Sequence, residues 1–331
     1  MKKTYWYLII SILIIISTLS ITFAITQQYS HHNNNDLIPN YYRNSGSTPP
    51  LPSRLQFADE EVPLDVYYVR EALDKELIIN CYQHSKTLQI IKRSGRFFPV
   101  IEPILKEEGV PDDFKYLCVA ESALDNVVSP AKAAGFWQFL PTTAKNYGLE
   151  VRDEVDERYH LEKATRAACK YLKNSYKKYN SWALAAAAYN MGDGNVNICS
   201  SKQECSSYWD LNMNSETARY VYRILAYKLI MDNPRIYGYD YCEAQLYHPI
   251  PYKEVVVTSS IPDLYVFARD QDCSYKELKM LNPWLRSSKL TISDGSSYTI
   301  RIPNVNRESY FNLYRNIANP YTVVGDTVFN Y

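Results

Sequence analysis

Charge of one sign is missing from this 331-residue chain: 36 lysines and arginines meet 36 aspartates and glutamates. No net field is available to hold a polyanion, which excludes nucleic acid as a partner. Glycine is scarce, 10 residues against 31 tyrosines. Rings with hydroxyl tips suit a groove that grips polar, ring-shaped ligands, although a compositional bias alone gives the same excess. Cysteine is absent before Cys81, which excludes a lipid-modified N-terminal cysteine. The seven cysteines (81, 118, 169, 199, 205, 242 and 273) are odd in number and none has the paired spacing of a zinc site. His31-His32 has no ligand cluster near it, so neither a metal nor a cofactor is expected. At 46% hydrophobic and 22% charged residues, bulk disorder is excluded as well.

What is present begins with Lys2 and Lys3 and then an apolar run from Tyr5 to Ile25, whose ~20 residues can span a bilayer as a helix. The positive end belongs in the cytoplasm. Thr22-Phe23-Ala24 offers small residues for a signal peptidase, so residues 1–26 are either a cleaved signal peptide or a membrane anchor. The rest of the chain is expected outside the cytoplasm, where disulfides form. Cys199 and Cys205 are the best-placed pair there, whereas Cys118 and Cys169 fall on apolar helical stripes and read as buried free thiols.

Residues 27–57 are polar and broken by Pro49, Pro50 and Pro52, a tether with too little apolar surface to fold. Residues 58–235 turn helical. Ala164, Ala167, Ala168, Tyr171, Leu172 and Ser175 follow the i, i+3, i+4 template, as do Ala218, Val221, Tyr222, Leu225, Ala226 and Leu229. Pro63, Pro99 and Pro141 suit first turns of helices, and Gly109 and Gly148 their ends. After a linker over 236–254, residues 255–303 read strand, helix, strand, a small α+β module. A tail covers 304–331. The fold class is therefore mainly α.

On the helix predicted around Asp113 to Leu124, Phe114, Leu117 and Cys118 form an apolar stripe whose next place is Glu121. A carboxyl group turned toward a core is desolvated and its pKa rises into the range of a general acid. A structural carboxylate paired with Arg or Lys fits the same position. Downstream, Gly135-Phe136-Trp137-Gln138-Phe139 joins an amide to aromatic rings, a combination that binds sugars, and the small-residue helix Trp182 to Ala188 ends in Tyr189-Asn190-Met191-Gly192.

Together, Glu121-Ser122, Ser129, the 135–139 segment, Ala188 to Gly192 and Glu216-Thr217-Ala218-Arg219-Tyr220-Val221 resemble the ordered motifs of the soluble-lytic-transglycosylase-like, goose-lysozyme-related catalytic domain. Gly109 to Leu117 and Asp156-Glu157-Arg158 are similar, more narrowly, to the membrane-bound murein transglycosylases. The resemblance implies a lysozyme-like all-helical catalytic domain in the bacterial cell envelope, facing the periplasm, anchored in the membrane if residues 1–26 are retained. It implies cleavage of the β-1,4 bond between N-acetylmuramic acid and N-acetylglucosamine in peptidoglycan strands, with Glu121 as the single acid and a 1,6-anhydro ring as product. By position Ser129, Gln138, Phe139, Tyr189, Asn190 and Glu216 match the substrate groove, Ser122 supports the helix end, and Asp125 caps or faces solvent. Lys132 departs from the family, which often has Gly there; a positive φ at that position would strain it. Leu281-Asn282-Pro283 and the Tyr298 to Pro303 strand resemble a LysM glycan-binding repeat, which either binds glycan or only stabilises its neighbour. Two other functions stay open: a hydrolytic muramidase, and a silent peptidoglycan-binding scaffold. No protein partner is legible.

Overall fold

The structure, a computed structural model, describes residues 47–304. The N-terminal apolar run, most of the tether and nearly all of the tail lie outside the described residues. Among the described residues eight α-helices precede residue 235: α1 (Tyr67–Tyr82), α2 (His84–Glu107), α3 (Phe114–Ser122), α4 (Pro141–Asn146), α5 (Leu161–Tyr179), α6 (Trp182–Met191), α7 (Asp193–Gln203) and α8 (Ser215–Asp232). Two short helices, α9 (Leu264–Asp270) and α10 (Tyr275–Leu281), then sit between two strands. The chain is mainly helical with a small strand pair near its C-terminal end, as the sequence predicts. No helix among the described residues is long and apolar enough to cross a membrane.

Helix α8 is the hub, packing on α1, α3 and α6. Its start is set by Asn214, whose side-chain oxygen accepts from the Glu216 and Thr217 amides. Its apolar stripe, including Val221, Leu225 and Ala226, is wholly buried. In α6 every residue from Ala183 to Ala188 is buried, because alanine side chains let α5 and α8 approach from different sides. Ser181 caps that helix by accepting from the Leu184 amide at 3.3 Å, and Glu60 accepts from the Trp182 and Ala183 amides.

Three local expectations are corrected. Pro99 lies inside α2 together with Pro103 rather than opening a helix; Ile90, Ile91, Ile101, Ile104 and Leu105 are buried on both sides of it, and that packing outweighs the ~3 kcal/mol a helical proline costs. Pro63 precedes α1 in a turn closed by the Val66 amide on its carbonyl, 3.1 Å. Residues 56–61 form a two-stranded hairpin, β1 (Gln56–Phe57) and β2 (Glu60–Glu61), rather than helix. Its turn holds Ala58 and Asp59 at φ 52° and 65°, and the Ala58 amide donates to Asp113 Oδ2 at 2.7 Å. By contrast Pro141 does open α4, and Gly109 (φ 68°) and Gly148 (φ 87°) come after α2 and α4 in the left-handed region.

At the C-terminal end β3 (Tyr252–Val257) pairs antiparallel with β4 (Tyr298–Pro303). The apolar core beneath them is shared: Ile261, Leu264, Leu278, Leu285, Ile300 and Ile302 pack with Ala134, Val155 and Tyr159 from the preceding helical region. Backbone continues across the junction, where the Asp156 amide donates to the Trp284 carbonyl (2.9 Å) and the Arg286 amide to that of Glu154 (2.8 Å). All seven cysteines are free thiols. Cys199 and Cys205 are thus not bonded to each other; the Cys205 thiol points at the Ser207 carbonyl, 3.6 Å away. Cys118 and Cys169 are buried free thiols, as predicted.

Candidate active site

Glu121 is the penultimate residue of α3. The helix ends there because Ala123 and Leu124 both take left-handed backbone, φ 54° and 56°. Ser122 closes the last turn through its hydroxyl on the Cys118 carbonyl, 3.2 Å. Glu121 is half-buried, reachable by a ligand yet crowded enough to lose much of its hydration. Burial pushes its carboxyl up to about 7, against two opposing effects: the hydroxyl of Tyr220, which donates to Oε1, and the charge of Arg223; the charge of Glu216 adds to the rise. The carboxyl therefore keeps its proton up to about pH 7, well above an ordinary glutamate, and the Tyr220 hydroxyl fixes its orientation.

The loop from Val127 to Phe139 lies beside it. Ser129 spends its hydroxyl inside the loop, accepting from the Ala133 amide at 3.0 Å. Gln138 stands at φ 48°, and its amide nitrogen donates to the carbonyls of Val127 (3.0 Å) and Gly135 (2.8 Å). Gly135 (φ 79°) is required sterically, since a Cβ there would stand 1.9 Å from the Arg158 carbonyl oxygen. Lys132 sits at φ 66°, the strained backbone at which its departure from glycine matters.

Arg158 fastens this loop from behind. It is 8% exposed, pairs with Asp156 at 2.7 Å, and donates through Nη1 to the carbonyls of Lys132 (2.8 Å) and Phe139 (3.0 Å). Trp137, fully buried, donates its indole N–H to Thr165 Oγ1 at 2.9 Å.

Tyr189 completes the wall. Its hydroxyl donates to the Trp137 carbonyl at 2.7 Å, and its ring meets Phe139 edge-on at 5.8 Å and Tyr171 at 5.1 Å. Burial, and then the charge of Glu121, push its hydroxyl pKa well up, which places Tyr189 within electrostatic reach of the acid. Asn190 is tied to α8, its Oδ1 accepting from Thr217 Oγ1 at 2.7 Å. Glu216 is exposed in the first turn of α8, where Arg223 pairs with it at 2.9 Å and holds its carboxyl below the ordinary range. Asp125 is paired with Arg93 at 2.8 Å.

The structure thus brings Tyr189 within electrostatic reach of Glu121, with Phe139 packed behind the Tyr189 ring and only 3% exposed rather than open to a ligand. Gln138 is spent on its own loop, and Asn190, near the end of α6, reaches the start of α8, where Glu216 lies. The structure turns the Ser129 hydroxyl inward on its own loop. Sequence reasoning missed the parts played by Tyr220, Arg158 and Arg223. Tyr220 and Arg158 fall inside segments that carry the family resemblance, though without a role read for either, and a further signal was that Tyr220 and Arg223 share the helical face of Glu216 at i+4 and i+7.

A separate cavity of about 160 Å³ lies at the junction with the C-terminal strand pair, walled by Phe97, Phe136, His160, Trp284 and Arg301. Glu121 does not line it. In the C-terminal module Trp284 is 4% exposed and stacks on Tyr298 at 5.6 Å, so it is spent on packing. Tyr265 and Tyr275 stack at 4.0 Å, and Tyr265 is 56% exposed, an aromatic face open to a ligand.

Residues 98–212 match the family described as the transglycosylase SLT domain, and residues 253–306 that of the soluble lytic transglycosylase C-terminal LysM-like domain. The chain is 32% identical over 176 residues to membrane-bound lytic murein transglycosylase D of Escherichia coli K12, and equally to that of E. coli O6:H1; the match covers 51% of this chain and 38% of the relatives. The chain therefore spans well under half the length of these curated relatives. Among solved structures it is similar to the 70 kDa soluble lytic transglycosylase of E. coli, with 19% identity over 47% of this chain and 29% of that one and a TM-score of 0.35.

Proposed function

We propose that this chain, which carries a transglycosylase SLT domain and then a LysM-like domain and is homologous over about half its length to a murein transglycosylase, is a lytic transglycosylase of the cell envelope that cleaves the N-acetylmuramic acid to N-acetylglucosamine bond of peptidoglycan. The observation that carries the reading is the carboxyl of Glu121, which burial raises to about 7, beside Glu216, whose charge is paired with Arg223; Asp125, four residues on, is paired with Arg93.

Glu121 donates its proton to the leaving glycosidic oxygen as the bond to the muramoyl C1 breaks. The muramoyl C6 hydroxyl then bonds to C1, and its proton returns to the Glu121 carboxylate. A 1,6-anhydro ring forms, the acid is regenerated and no water is consumed. Tyr220 holds Glu121 in place during both transfers. A hydrolase of the usual kind needs a second free carboxylate to activate water or attack C1; Arg223 holds Glu216 below the ordinary range, which makes it a poor base, and Asp125 is engaged by Arg93. Gln138 and Tyr189 line the sugar-binding wall with the buried Phe139 backing Tyr189, Asn190 and Glu216 form its edge at α8, and Ser129 shapes the loop that carries Gln138. The exposed Tyr265 face is the glycan contact of the LysM-like domain.

Muropeptides released from purified sacculi, read by mass spectrometry, test this. Wild type is expected to yield 1,6-anhydro-muramoyl ends, and Glu121→Gln to bind sacculi, keep its fold and release nothing. Reducing ends would make the protein a hydrolase. Sacculus binding without release by wild type would make it a scaffold.

A further inference from the structure

A second concavity, about 180 Å³, opens one residue step round both helices from the Glu121–Tyr220 bond. Ala120 of α3 and Arg219 of α8 line it, with Arg223, Lys86 and Glu76. Glu76 is 1% exposed and takes Arg219 Nε at 2.5 Å on Oε1. Its Oε2 has no hydrogen bond, the nearest cation being Arg223 Nε at 3.7 Å. Arg223 is shared with Glu216. Arg219 engages Glu76 through Nε alone, which leaves its Nη nitrogens without a protein partner among the described residues. Lys86 is exposed and has no ion pair or hydrogen bond there at all; burial, and then the charge of Arg223, hold its ammonium below the ordinary lysine range.

Three cations thus face two carboxylates, and the excess positive charge rests on Lys86, which makes no ion pair or hydrogen bond among the described residues and feels the charge of Glu76 only through space. A guanidinium with free Nη groups beside an unpaired ammonium is a fork-and-point arrangement for a carboxylate. The sugar rings of the proposed substrate are uncharged, whereas the peptide carried on each muramoyl lactyl group bears carboxylates. We infer that Lys86, Arg219 and Arg223 form a carboxylate-binding site beside the catalytic acid that takes an acidic group of the peptide stem on the strand being cut. The inference rests on the proposed cleavage activity. It makes the enzyme prefer peptide-bearing strands over bare glycan.

The test compares initial cleavage rates by the full chain on peptide-bearing strands and on the same strands stripped by an amidase, whose remaining carboxylate is the lactyl group itself. In Lys86→Met the ratio of the two kcat/KM values is expected to fall about tenfold, and Lys86→Arg to restore it; Lys86 is exposed and unpartnered, so folding is not at stake. An unchanged ratio, or equal losses on both substrates, would overturn the inference. Calorimetric titration with N-acetylmuramoyl-L-alanyl-D-glutamate decides the site independently. Kd is expected to weaken about tenfold in Lys86→Met, and an unchanged Kd, or no binding by wild type, would remove the site. Should wild type cut neither strand, the cleavage activity is refuted, while the titration still decides whether the carboxylate site exists.

Discussion

Glu121 shows how one residue is set for work at a cost to the fold. Its carboxyl titrates near 7 in the folded chain against an ordinary 4.5. Between those values the folded state holds a proton that the unfolded state has released, so the residue's contribution to stability is full below about 4.5 and is lost as pH rises through 7. At pH 8 Glu121→Gln is therefore expected to be more stable than wild type by roughly 1–3 kcal/mol, with the gap closing near pH 4.5; thermal unfolding at the two pH values checks it. The protonated form disappears over the same range, so with Glu121 as the proposed acid kcat/KM on glycan strands is expected to fall as pH rises through about 7. Tyr220→Phe removes a hydrogen bond that favours the carboxylate. The falling limb of the pH profile is then expected to move to higher pH, with a stability loss of about 1 kcal/mol for the vanished bond. A limb that stays in place or moves down would take Tyr220 out of the tuning of Glu121.

At the scale of elements, the groove depends on the 127–139 loop, and that loop has no regular ladder to hold it. Isolated bridges join Val128 with Ala134 and Ala134 with Phe139, and Arg158 ties Lys132 and Phe139 from beneath. Removing the guanidinium strands a buried Asp156 and two carbonyls, so Arg158→Ala is expected to cost roughly 3–5 kcal/mol by chemical denaturation. Arg158→Lys keeps the charge but loses the fork; its expected signature is a raised KM on glycan strands with the pH profile unmoved, since Glu121 is not among its contacts. How much of this was legible differs by residue. The α3 stripe of Phe114, Leu117 and Cys118 located Glu121, and Pro141 located the start of α4, because helical periodicity and proline geometry are local. The left-handed backbone at Gln138 was not legible, since the residue type does not announce it, while at Lys132 only the glycine frequent in the resembled family pointed to it; Arg158 holds the carbonyls of Lys132 and Phe139 from a distance.

At the scale of the whole described chain, the helical region and the LysM-like domain share structure. Val155, Tyr159 and Ala134 are buried in the core of the C-terminal module, Arg301 pairs with Glu162 at 2.5 Å, and Arg286 stacks over the Tyr159 ring at 4.1 Å. The segment from Trp284 to Arg286 meets Glu154 to Asp156, directly upstream of Arg158. Ending the chain at residue 250 would expose that apolar surface and free the segment that carries the loop clamp. The truncated protein is expected to melt several degrees lower and to cut bare glycan more slowly than the full chain; equal melting temperature and rate would show the two parts to be independent.

The sequence alone determined the helical class, the C-terminal strand, helix and strand, and the place of Glu121 on an apolar stripe, because periodicity, proline placement and a carboxyl on such a stripe are written within a few residues of one another. Tertiary structure alone decided that Pro99 stays helical, that Cys199 and Cys205 remain apart, that Tyr220 holds Glu121, and that Arg158 carries the groove loop. Each of these depends on groups brought together from distant parts of the chain, and their energies, a buried ion pair or a shared core, exist only once the chain has closed on itself.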